Sequence, residues 1–119
     1  MSGQEFPEQF RSRLEPHRET IVVSAEGEID ISTAGGLQAQ LRELLGVGFT
    51  RVVLDLREVS FVDSTGLRAL LEIDGESRGA GVEFALLRGP EQVQRLFELT
   101  QTDHALRFID PADVDGSRS

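Results

Sequence analysis

Ser64 lies in the run Asp63-Ser64-Thr65-Gly66, a short loop after the apolar, β-rich run RVVLDL and at the start of an amphipathic stretch. A small hydroxyl at such a junction could act as a hydrolytic nucleophile, as a helix cap or as the acceptor of a phosphoryl group. Hydrolysis needs a base and a strained GxSxG turn. The chain has no such turn, and its two histidines, His17 and His104, lie far from Ser64 in sequence. Neither has metal-ligand spacing around it. Phosphoryl transfer by the chain itself would need a glycine-rich cradle followed by lysine; the twelve basic residues are all arginine, so a P-loop is excluded. With no cysteine there is no thiol chemistry either. Capping by Asp63 or Ser64 and phosphate acceptance by Ser64 both remain open, and they are compatible. The free N–H groups and dipole of a helix N-terminus favour an added phosphate by about 0.3–1 kcal/mol.

The elements that must hold this hydroxyl can be read from apolar spacing. Phe10, Ser12 and Leu14 alternate with Arg11 and Arg13, which predicts a half-buried edge strand. Residues 20–26 form a second strand after the turn at 16–19, so the two make a hairpin. The segment Gly27-Glu28-Ile29-Asp30 reads as a loop, and Ser32 or Thr33 as the N-cap of a first helix. Glu26, Glu28 and Asp30 are too few oxygen donors for a hard-cation loop and read as solvated. Ala34, Leu37, Leu41, Leu44 and Leu45 are the stripe of that helix, stopped by Gly46 and Gly48. Residues 51–57 form the central strand, and consecutive Val52, Val53 and Leu54 predict burial on both faces.

A short loop then carries Phe61 and Val62 to the helix that opens at Ser64, with Gly66, Ala69, Leu70 and Ile73 on its inner face. Leu67 lies at the margin of that face, either a docking hydrophobe or core. The helix ends near Gly79 or Gly81. A strand at 82–87, a helix opening at Pro90 with Val93, Leu96 and Phe97 as its stripe, and a short strand at 106–109 complete the chain. The expected fold is a single α/β domain over residues 10–110, with a mixed, mostly parallel sheet, an N-terminal β-hairpin and about three main helices. Its order is β-β-α-β-α-β-α-β. Residues 1–9 and 111–119 read as polar tails.

At 119 residues the chain suffices for one core without staples. A net charge of −9 argues against direct nucleic-acid binding and against anionic membrane surfaces, and favours a monomer when free. No stretch approaches the length of a membrane span, and no signal peptide is evident, so a soluble cytoplasmic protein is expected.

The motif at residues 63–67, DSTGL, resembles the D-S-[ST]-G-L signature of the bacterial anti-sigma-factor antagonists, the STAS domains. GEID at 27–30 is similar to that family's G-E-[LI]-D, the block at 52–66 to its strand-loop-helix segment, and VQRLFELT at 93–100 to its last helix. The resemblance implies a non-enzymatic, cofactor-free switch. The unphosphorylated protein would bind an anti-sigma factor that is also a serine kinase and supplies the bound ATP, thereby freeing a sigma factor. Phosphorylation of Ser64 would end the contact, and a serine phosphatase would reset it. Asp30, Asp63, Thr65, Gly66, Leu67 and Arg68 would border the contact with Ser64. The alternative is a STAS module that binds another partner and never uses its serine. Two positions depart from the family pattern. Arg68 stands where many members have glycine, and Gln101 follows FELT where glycine is common.

Overall fold

The computed structural model describes residues 10–114; the expected tail at 1–9 and residues 115–119 lie outside them. The elements run β1 (Phe10–His17), β2 (Thr20–Ile29), α1 (Ala34–Leu44), β3 (Arg51–Val62), α2 (Ser64–Ala80), β4 (Glu83–Leu87), α3 (Glu91–Leu99) and β5 (Phe108–Ile109). Two short 3-10 turns, Thr102–His104 and Pro111–Asp113, precede and follow β5. The order is the one expected. The sheet order β1-β2-β3-β4-β5 follows the chain, with β1 antiparallel to β2 and every later pair parallel.

All three helices lie on one face of this sheet. Alternate residues Ile21 and Val23 of β2, Val52, Leu54 and Leu56 of β3, and Phe84 and Leu86 of β4 form one core with α1 (Leu37, Leu41), α2 (Leu70, Ile73) and α3 (Val93, Phe97). The intervening residues Val22, Val53, Ala85 and Leu87 face the other way and are also buried, against Ile109 and Val114. Burial on both faces is therefore as expected for β3, but one cover is a chain segment rather than a helix. Residues 111–114, read as the start of a loose tail, form that cover. The Arg51 guanidinium donates to the carbonyls of Asp113 (2.6 Å) and Val114 (2.8 Å) and holds the segment down.

Strand ends differ from expectation where bulges intervene. β3 runs on past Arg57 to Val62, beside a β2 that continues through Gly27 and Glu28 to Ile29. Register shifts at Ser24/Glu26 and Gly27/Glu28 insert extra β3 residues and curl this extension. The GEID segment is thus strand as far as Ile29, and Phe61 and Val62 are strand rather than loop. The last strand is shorter than expected, covering only Phe108–Ile109.

α3 ends at Leu99 with Thr100 as its C-cap, followed by Gln101 at φ 61°. This left-handed position favours glycine, and a residue with a Cβ pays about 1–2 kcal/mol there. Gln101→Gly is expected to raise stability by about 0.5–1 kcal/mol after the backbone entropy of glycine is subtracted. Thermal unfolding should register a gain of a few degrees.

Candidate functional site

The hydroxyl of interest is placed by three contacts around it. Asp63, in extended conformation, is the N-cap of α2, and its Oδ1 accepts from the Gly66 N–H at 2.8 Å. Capping therefore falls to the carboxylate, and Ser64, the first helical residue, is left exposed. The Asp63 N–H donates to the Ile29 carbonyl at 3.2 Å, which ties the start of α2 to the end of β2. Gly66 lets that approach happen: a Cβ built there would lie 2.4 Å from the Ile29 carbonyl oxygen.

The second corner, between β2 and α1, is built on Asp30 and Thr33. Asp30 Oδ1 accepts from the Ser32 hydroxyl at 2.8 Å and the Ser32 N–H at 3.0 Å, an Asx-type turn. The Ser32 hydroxyl, then its N–H and Thr33, outweigh desolvation and hold the Asp30 carboxyl below the ordinary carboxylate range. Thr33 occupies the N-cap position of α1 but caps nothing. Its hydroxyl donates to the Glu28 carbonyl at 2.7 Å and accepts from the Asp30 N–H at 2.9 Å. At 1% exposure it is an internal lock for the corner. Thr33→Val would strand both groups, at a cost of about 1–3 kcal/mol. Thr33→Ser, which keeps the hydroxyl, should lose less in a urea titration.

The residues expected at the contact surface divide accordingly. Ser64, Thr65 and Arg68 are exposed, and Asp30 and Asp63 are half-buried beside them. Leu67 is a correction: at 7% exposure it belongs to the core, because it follows Gly66 onto the inner face of α2. Gly66 is buried too, under Ile29, and shapes the surface without lining it. Two residues that the motifs did not single out are exposed here. Ile31, in the β2–α1 corner, is 79% exposed, and Phe61, at the end of β3, is 48% exposed. An isoleucine or phenylalanine inside an otherwise polar corner was the signal available for both. Each stands two residues from the Ile29–Asp63 contact, and exposed apolar side chains of this sort are commonly buried at protein interfaces.

No hydrogen bond among the described residues joins a histidine to Ser64. His17 pairs with Thr20 at the far end of β2, and exposed His104 lies 3.8 Å from Asp103 after α3. Among the described residues no group of three or more His, Cys, Asp or Glu could hold a metal ion. No helix of the described residues is long and apolar enough to cross a membrane.

The described residues thus form a sheet covered by three helices on one side, with the capped helix α2 presenting an exposed serine at its first turn. Residues 12–112 match the STAS domain, and the chain belongs to that family. It is 30% identical over 103 residues to the anti-sigma-F factor antagonist RsfB of Mycobacterium tuberculosis, covering 87% of this chain and 84% of that protein. The crystal structure of an anti-sigma factor antagonist from Mycobacterium paratuberculosis superposes with a TM-score of 0.76 at 28% identity, covering 88% of each chain. The Bacillus cell-fate determinant SpoIIAA shares the fold in its phosphorylated form, with a TM-score of 0.66, 20% identity and coverage of 87% of this chain and 95% of that one.

Proposed function

We propose that this chain is an anti-sigma factor antagonist that works by partner switching in the cytoplasm, as a monomer when free. Unphosphorylated, it docks through the rim formed by Ile31, Phe61, Thr65 and Arg68 around Ser64 onto an anti-sigma factor, which releases its sigma factor. That partner is also a serine kinase. It transfers the γ-phosphoryl group of its bound ATP to the Ser64 Oγ; the hydroxyl proton leaves to a base of the kinase, and ADP departs. The phosphorylated rim no longer docks, and a serine phosphatase restores it by hydrolysis.

The observation that carries this reading is the exposed hydroxyl at the first residue of a helix whose cap is already supplied by Asp63. Among the described residues the Ser64 hydroxyl makes no hydrogen bond that a phosphate would interrupt. Incubation with the cognate kinase and ATP, followed by intact mass and peptide mapping, should find one phosphate, on Ser64, and none on Ser64→Ala. A chain that stays unmodified would sink the phosphorylation step and leave a STAS module that binds its partner without it. In capture from lysate, Ser64→Ala should retain the kinase and Ser64→Asp should not.

A further inference from the structure

Arg68 follows Ser64 by four residues on α2, so the two side chains sit one above the other on the same exposed face of the helix. Elsewhere α1 and α2 show how arginines on this helix pair are used. Arg42 makes a bidentate contact with Glu76, at 2.7 and 2.9 Å, and Arg78 pairs with Asp74. The Arg68 side chain has no ion pair or hydrogen bond among the described residues. The carboxylate one turn further along, Glu72, accepts instead from Gln38 Nε2 at 2.7 Å. An arginine with no ion pair among the described residues, one turn after the hydroxyl, fits an anion placed at Ser64.

We propose that Arg68 is the built-in counter-ion of phosphorylated Ser64. This rests on the reading that Ser64 carries a phosphate. An anion at the N-terminal position and a cation four residues on is the favourable orientation for a helical pair. Guanidinium also suits a phosphate better than ammonium, because its fork can meet two oxygens. The modification then changes two things on the rim: it adds a dianion, and it withdraws a free guanidinium from any visitor. Asp63, adjacent to Ser64, and Asp30, in the neighbouring corner, are the acidic groups that oppose the phosphate, and Arg68 offsets them.

The test uses full-length protein with phosphoserine incorporated at position 64 during translation, so no kinase is involved and failure of the kinase step cannot be mistaken for failure of the pair. Phosphorus NMR over a pH series reads the second ionisation of the phosphate. That midpoint should lie about 0.3 pH units lower in the wild type than in Arg68→Gln, and Arg68→Lys should recover part of the difference. Arg107→Gln controls for the loss of one positive charge, since Arg107 pairs with Glu83 at the opposite end of the sheet. A difference of about 0.1 units or more beyond that control supports the pair, and a smaller one overturns it. As a second measurement, phosphoserine should raise the melting temperature of the wild type relative to its effect in Arg68→Gln. Equal effects in the two backgrounds would also overturn the proposal.

Discussion

A phosphate on Ser64 is expected to weaken binding to the anti-sigma partner about a thousandfold while leaving the backbone of the domain where it is. The two halves of this expectation have separate causes. Within the domain, the phosphate adds roughly −1.5 to −2 charges at an exposed position. The α2 N-terminus favours it by about 0.3–1 kcal/mol, and Asp63 opposes it by a comparable, solvent-screened amount. No core contact is touched, because Ser64 points away from Leu70 and Ile73 and the cap belongs to Asp63.

A partner that closes over the rim must instead desolvate the dianion. An uncompensated buried charge costs several kcal/mol, and about 4 kcal/mol corresponds to a thousandfold in affinity. Calorimetry on protein carrying phosphoserine at position 64, with the purified partner, measures the first half; amide NMR shifts measure the second. Affinity within a few-fold of the unmodified protein, or shift changes spread across the sheet, would sink the docking-block mechanism. Ser64→Asp, with a single shorter charge, should reproduce only part of the loss.

Gly66→Ala should be the most damaging single-methyl change in α2. The new Cβ would lie 2.4 Å from the Ile29 carbonyl oxygen and 2.9 Å from its Cγ2. That carbonyl cannot retreat freely, since it also accepts from the Asp63 N–H. Overpacking of this kind costs about 1–3 kcal/mol, and backbone on backbone leaves little flexible chain to absorb it, so the upper part of that range is expected. Alanine's better helix propensity, worth about 1 kcal/mol, recovers some of this. A net loss of about 1–2 kcal/mol and a fall of roughly 5–15 °C in Tm are expected, together with weakened partner binding as the two corners separate. Gly75 in the same helix is the control. Nothing lies within 4 Å of a Cβ there, so Gly75→Ala should stabilise by up to about 1 kcal/mol. Equal melting temperatures for the two variants would refute the close-approach argument.

The helices and the central strand were legible because their apolar residues keep a regular period. The α1 stripe of Leu37, Leu41 and Leu45 is buried as spaced, and the α2 start at Ser64 follows from Asp63 as a cap. Elements whose partners lie far along the chain were not legible. The two β3 bulges break the period-two pattern, so Glu28–Ile29 and Phe61–Val62 read as loops although they pair with each other. Thr33 has the composition of a cap, but its hydroxyl is claimed by the Glu28 carbonyl, a choice made by the corner and not by local propensity. Residues 111–114 are polar enough to fray; what holds them is Arg51, some sixty residues earlier. At the site, the motif located Ser64, Thr65 and Arg68 on the surface. It could not tell Leu67 inside from Ile31 outside, since both are aliphatic residues beside a turn.

The clamp at Ile29 also governs how this surface can be imitated or lost. Its two corners are supplied by stretches distant in sequence and are brought side by side only when β2 and β3 are paired. A linear peptide copied from either stretch would present half an epitope with the wrong curvature and should compete poorly with the intact domain. On the proposed reading the same dependence would make the signal fail-safe: a chain whose tertiary structure has melted would have no composite surface left to offer, so damage would silence it and not leave it permanently engaged.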